Sequence, residues 1–111
     1  MDIRPDDFVR ILRPMTGTRP ALTASVPTIS RFFGIVIRMY FDDHAPPHFH
    51  AYYGQRSATV RIEPAGVIAG ELPPRALGLV IEWARIHEGA LLADWELARR
   101  SRPLDLIPPL E

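Results

Sequence analysis

His48-Phe49-His50-Ala51-Tyr52-Tyr53-Gly54-Gln55-Arg56-Ser57-Ala58-Thr59-Val60-Arg61-Ile62-Glu63 reads as two strands around a tight connection. Phe49, Ala51 and Tyr53 alternate with His48, His50 and Tyr52, and Val60 and Ile62 alternate with Thr59, Arg61 and Glu63. Period-two alternation is the mark of a strand with one buried and one wet face. With Gly54–Ser57 closing the hairpin, Tyr53 falls opposite Ala58, Ala51 opposite Val60 and Phe49 opposite Ile62. The polar partners are then Tyr52 with Thr59, His50 with Arg61 and His48 with Glu63. A one-residue slip would mix the faces, so the pattern constrains the register.

The same period extends outward from this hairpin. Ile35, Ile37, Met39 and Phe41 alternate with Val36, Arg38 and Tyr40, which gives a strand before the Asp42–Pro47 loop. Pro64-Ala65-Gly66 turns the chain into a short fourth strand, Val67–Gly70. Pro73-Pro74 suits a helix start, and Leu77, Val80, Ile81 and Ala84 follow at helical spacing up to about His87. Gly89 is a natural break. A second helix then carries Leu91, Leu92, Trp95 and Ala98, until Pro103 ends it. The expected architecture is α+β, a four-stranded, mainly antiparallel sheet with two C-terminal helices packed on its apolar face.

Residues 27–111 form a single domain on this reading. Residues 1–26 form an N-terminal extension: a short helix over Pro5–Arg13, with Phe8, Ile11 and Leu12 on one face, then a Thr/Pro/Gly-rich linker. A translation start at Val26 would remove the extension altogether.

Composition narrows the function classes. Apolar residues make up 47% and charged residues 23%, as in a globular domain rather than a disordered one. No apolar run is long enough to span a bilayer, and no secretory signal opens the chain. Cysteine is absent, which excludes disulfides and thiolate metal sites and makes the cytoplasm the expected compartment. The formal net charge is zero, so no bulk field draws the protein to nucleic acid or membrane. All 13 basic residues are arginine. A GC-rich genome would produce that bias, and so would a need for planar forks that grip phosphate.

Three of the 4 histidines, His44, His48 and His50, fall within seven positions. On a strand His48 and His50 share a face, their Cα atoms roughly 6.5–7 Å apart. Three readings follow. His44, folding back from the loop, would complete a site with His48 and His50 for a divalent metal such as Zn²⁺ or Mn²⁺, with Asp42, Asp43 and Glu63 as candidate carboxylate ligands or supports. Without metal, His48 and His50 would supply base and acid, with Tyr52 and Arg61 in the same catalytic set. Arg38 and Tyr40 would then hold a phosphodiester substrate. The third reading is structural: imidazoles hydrogen-bonded across a sheet, or a Tyr- and Arg-rich surface between copies or against a partner. His87 shares a helix face with Trp83, and Arg99, Arg100 and Arg102 suit a solvated helix end.

The stretches Pro27–Ile35, Met39-Tyr40-Phe41, Asp43-His44 and Pro46-Pro47-His48-Phe49-His50-Ala51 are similar to a bacterial family, Domain of Unknown Function 4160. The similarity continues through Leu72-Pro73, Ala76-Leu77 and Trp83 to Trp95–Ala98. Members usually begin at the equivalent of Pro27. The resemblance implies no established activity. It implies frequent pairing with a second small protein encoded by the neighbouring gene, in modules of toxin–antitoxin type. Combined with the polar face, this gives the functional expectation: a component that binds, and in its catalytic form cleaves, RNA. The alternatives are a non-catalytic partner-binding module and a small metal-dependent hydrolase.

Overall fold

A computed structural model describes residues 27–111. The extension over residues 1–26, with its expected helix and linker, lies outside the described residues. The chain forms β1 (Thr28–Phe32), β2 (Ile35–Arg38), β3 (His48–Tyr53), β4 (Arg56–Arg61) and β5 (Gly66–Gly70), then α1 (Pro74–Ile86) and α2 (Glu88–Arg99). The strands lie in chain order as one antiparallel meander. No helix among the described residues is long and apolar enough to cross a membrane.

The sheet has five strands where four were expected, because β1 does not read as period two. A bulge between Thr28 and Ser30 inserts one extra residue against β2. Ile29 and Phe32, of opposite parity, are therefore both buried on the core side. Phe33 and Gly34 close the β1–β2 hairpin with positive φ at both positions, the backbone of a two-residue turn that matches strand twist.

The β3–β4 register is two residues tighter than expected. Gly54 and Gln55 alone form the loop, with Gly54 at φ +59°. Tyr53 pairs with Arg56, Ala51 with Ala58, Phe49 with Val60, His50 with Thr59 and His48 with Arg61. A Gly at the first loop position favours this shorter turn. Because the shift is even, Phe49, Ala51, Val60 and Ile62 keep the core face and His50, Tyr52 and Thr59 the polar one, while His48, expected on the polar face, is buried at the sheet margin against Trp95.

The apolar face carries Ile35, Ile37, Met39, Phe49, Ala51, Val60 and Ile62, all at or near complete burial. The helices cover it with Ala76, Val80, Trp83 and Ala84 from α1, and Leu91, Trp95 and Ala98 from α2. Leu77, Ile81 and Leu92, expected on the apolar faces of the helices, are only partly buried. Trp83 takes the central place instead, against Phe32 and Phe49. The helices break at His87, and Gly89 lies inside the first turn of α2.

The C-terminal tail has no regular structure but is docked. Ile107 N–H donates to Ile29 O, Trp83 Nε1–H to Pro108 O, and Asp105 N–H to the buried Asp94 carboxylate. Burial and the neighbouring Asp105 charge push the Asp94 carboxyl up, against the hydrogen bond from Asp105 N–H, which lowers it.

Gly70 ends β5 at φ +73°, and a Cβ there would lie 2.4 Å from Ser57 O. Gly54 is also left-handed, but a Cβ there would meet nothing within 4 Å. Gly54→Ala should therefore cost only the left-handed backbone penalty of about 1–2 kcal/mol. Gly70→Ala should cost clearly more, because the β4–β5 backbones must also separate. Thermal unfolding of the two variants side by side checks this, and equal losses would contradict it.

Candidate functional site

The site is built where the Asp42–Pro47 loop meets the start of β3. The loop is pinned at both ends: Asp42 N–H donates to Ala98 O at the end of α2, and Ile62 N–H donates to Pro47 O. Asp42 itself adopts φ +54°, a left-handed conformation that Asp tolerates better than most residues. The next residue, Asp43, is thereby brought against the first strand residues of β3.

Asp43 is the hub. Its Oδ2 lies 2.9 Å from His48 Nε2 and 3.5 Å from His50 Nε2, while its Oδ1 accepts from His44 N–H at 2.9 Å. One ligand atom from each of Asp43, His48 and His50 lies within 4.8 Å of the others. The side chains of Asp43 and His50 keep 16% and 18% exposure, whereas His48 keeps 4%. The His48 ring packs at 5.1 Å from Trp95 on α2, so it stands at the margin of the core while its strand neighbour His50 faces outward.

The opposite ring nitrogens are also engaged. His48 Nδ1–H donates to Pro46 O at 2.7 Å, since a carbonyl can only accept. His50 Nδ1 lies 3.4 Å from Thr59 Oγ1. With acceptors at both nitrogens, His48 in the metal-free protein is wired as an imidazolium. Burial works against that charge, but the hydrogen bonds to Asp43 and Pro46 O and the Asp43 charge outweigh it and raise its pKa. Burial likewise opposes ionisation of Asp43. The hydrogen bonds from His48, His50 and His44 N–H prevail and hold the carboxyl well below the usual carboxylate range.

A second group continues from His50 across the polar face. The Tyr40 ring stacks at 4.4 Å from His50, and its hydroxyl hydrogen-bonds to the Tyr52 hydroxyl. The Arg38 guanidinium lies over the Tyr52 ring at 5.3 Å, and its Nε–H donates to Thr28 Oγ1. Burial, with the Tyr40 hydrogen bond, pushes the Tyr52 hydroxyl above the ordinary tyrosine range, against the pull of Arg38. Tyr52 is therefore neutral at physiological pH.

The structure thus brings together His48, His50, Tyr52, Arg38 and Tyr40. It turns two expected site residues elsewhere. Arg61 Nε–H donates to Pro64 O in the β4–β5 turn, away from the imidazoles. His44 is 90% exposed and places its ring Nδ1 beside Asp43 Oδ1, so Asp43 and not His44 completes the convergent triad. His87 packs on Trp83, and Glu63 is exposed. Thr59, Trp95 and the Pro46 carbonyl were not among the expected participants. Only the His48 and His50 alternation signalled what would surround them.

Chemically, the triad can serve as a fixed carboxylate–imidazolium pair beside an accessible imidazole, or as an N,N,O donor set for a cation. Residues 34–96, more than half of the chain, match the family described as Domain of unknown function (DUF4160). That stretch contains Arg38, Tyr40, Asp43, His48, His50, Tyr52 and Thr59. No curated protein and no solved structure matches the chain. The chain belongs to the DUF4160 family.

Proposed function

We propose that the polar face of β2 and β3 binds RNA and cleaves its backbone at the Asp43–His48–His50 end. In this reading the protein is one component of a toxin–antitoxin-type pair, completed by the small protein of the neighbouring gene. The observation that carries the RNA reading is the unbroken line of contacts from Arg38 through Tyr52, Tyr40 and His50 to Asp43 and His48.

Each part of that line suits a phosphodiester polymer. A guanidinium fork fits phosphate oxygens, and Tyr rings accept stacked bases without regard to sequence. RNA carries its own nucleophile in the 2′-hydroxyl. The protein has to accept the 2′-hydroxyl proton as the 2′-oxygen bonds to phosphorus, and to give a proton to the 5′-oxygen as its bond to phosphorus breaks. The imidazole–carboxylate centre lies next to the binding line and can serve both needs. A double helix would present its bases edge-on, so the stacking surface favours single strands.

Zero net charge makes a further quantity predictable. Binding should rest on one or two phosphate contacts, with log K falling against log salt at a slope of about −0.7 per contact for a single strand. Fluorescence anisotropy with a short single-stranded RNA measures this. Arg38→Ala should weaken binding and flatten the slope by about 0.7, whereas His50→Ala should abolish cleavage and leave most of the binding. A 2′-deoxy oligonucleotide should bind but remain uncut. Failure of the unmutated protein to bind or cut RNA at low salt would end this reading.

A further inference from the structure

We infer that Asp43 Oδ2 and the Nε2 atoms of His48 and His50 form a binding site for one divalent first-row transition-metal ion. Its use in cutting RNA rests on the reading above. The site itself does not.

The inference starts from the direction of the two rings. An imidazole offers one nitrogen to a metal and needs an oxygen partner at the other to fix its orientation and tautomer. His48 turns Nδ1 to Pro46 O, and His50 turns Nδ1 to Thr59 Oγ1. Both therefore direct Nε2 to one place, and that place is the same carboxylate oxygen. Two imidazole nitrogens and one carboxylate oxygen gathered at one point is also the arrangement of a two-histidine, one-carboxylate metal ligand set. Of the two contacts to Asp43 Oδ2, the one from His50, at 3.5 Å, is at the limit for a hydrogen bond.

The spacing also fits coordination. Ligands about 2.0–2.1 Å from a common ion at the tetrahedral angle lie about 3.3 Å from one another. The two oxygen–nitrogen distances, 2.9 and 3.5 Å, bracket that value. Replacing the Nε2 proton of His48 by a cation keeps the Nδ1–H bond to Pro46 O intact. It also gives Asp43 Oδ2 and both Nε2 atoms a common positive centre.

The donor set selects the ion. Two imidazole nitrogens and one carboxylate suit Zn²⁺, Mn²⁺, Fe²⁺ or Co²⁺, and they disfavour Mg²⁺ and Ca²⁺, which prefer oxygen shells. The site is also open on one side. His48 is sealed by Trp95, but Asp43 and His50 reach solvent, which leaves coordination positions for water or a phosphate oxygen. Three protein ligands with an open position is the arrangement of catalytic rather than structural metal centres. His44 takes a supporting place: its backbone N–H and ring nitrogen both meet the other carboxylate oxygen, Asp43 Oδ1, and so orient Oδ2 inward.

The test uses the full chain without a polyhistidine tag, stripped with chelator and dialysed against micromolar Co²⁺ or Zn²⁺. One ion per chain is expected, with visible Co²⁺ absorption bands characteristic of nitrogen and oxygen ligation. Asp43→Ala and His50→Ala should each lose more than about 100-fold in affinity, beyond the ~10–100-fold typical of a lost supporting contact. His44→Ala should keep one ion per chain. His48→Gln, which retains bulk against Trp95, replaces His48→Ala should the smaller residue unfold the domain. Near-UV circular dichroism of each variant verifies folding. Absence of bound ion in the unmutated chain overturns the inference, as does binding unchanged in folded Asp43→Ala and His50→Ala. Loss in His44→Ala with retention in Asp43→Ala would overturn it as well. Metal bound with RNA left uncut would overturn only the cleavage reading. RNA cut equally well in chelator, by protein shown to hold no metal, would overturn only the metal's part in cleavage.

Discussion

Phe49→Ala should lower the unfolding free energy by about 3–5 kcal/mol, the range for a large aromatic side chain truncated in a packed interior. Phe49 has 0% exposure and stands edge-on to Trp83, with ring centroids 5.6 Å apart. Across the sheet it faces Val60, also fully buried. Trp83 in turn packs on Phe32 and donates its indole N–H to Pro108 O, so it cannot easily move into the space vacated. A domain of this size is stable by only about 5–15 kcal/mol, so the loss would consume a large part of the margin. Urea titration should show the midpoint falling with little change in slope. Tyr52→Ala, three residues further along β3 on the opposite face, should cost much less, because the side chain it removes is only half-buried. Equal losses for the two variants would mean that the faces of β3 are assigned wrongly.

That contrast was legible in the sequence because the period of a strand is two, and burial follows parity. Parity is also why the hairpin register could be two residues off without moving a side chain to the wrong face. Reading the turn as Gly54–Ser57 misplaced every partner of β3, yet His50 still shares a side with Thr59 and Arg38. What parity cannot report is an interruption of itself. The bulge in β1 buries Ile29 and Phe32 together, and alternation across it is lost. The site shows the same division. His48 and His50, fixed by a regular strand, stand side by side as expected, with rings 5.1 Å apart. Asp43 and His44 lie in a loop whose path depends on the left-handed Asp42 and on its anchor to Ala98 O, 56 residues away by number. No local pattern chooses between adjacent residues in such a loop. Arg61 differs for a related reason: a long side chain at a strand end can reach into the adjoining turn, here to Pro64 O.

Asp43→Asn should remove about 1.5–3 kcal/mol of stability from the metal-free protein at pH 5–6, the scale of a hydrogen bond to a charged group. The value falls short of the ~3–5 kcal/mol lost when a fully buried pair is broken, because Asp43 keeps 16% exposure. Asparagine keeps an acceptor for His48 Nε2–H, so the change tests charge rather than shape. The pH dependence follows from the two shifts. His48 has its pKa raised in the folded state above 6.5, so its contribution is complete below about that pH and is lost as pH rises through the folded value. Asp43 has its pKa lowered below 3.8, so its contribution is complete above about that pH and is lost as pH falls through the folded value. In chelator, the unmutated protein should therefore gain most from the pair between about pH 4 and 6.5. The difference between it and Asp43→Asn should narrow on either side of that window. Metal reverses the alkaline side. A cation competes with the proton for His48 Nε2, so the stabilisation from added Zn²⁺ should grow as pH rises from 5.5 to 7.5. The same nitrogen thus yields opposite pH trends, according to whether a proton or a metal ion holds it. Unfolding midpoints across pH, with chelator and with Zn²⁺, should lie close together at pH 5.5 and diverge as pH rises in the unmutated protein, and should run parallel in His50→Ala, which keeps the Asp43–His48 pair but lacks the third ligand. A flat pH response in chelator would show that His48 carries no charge in the folded protein.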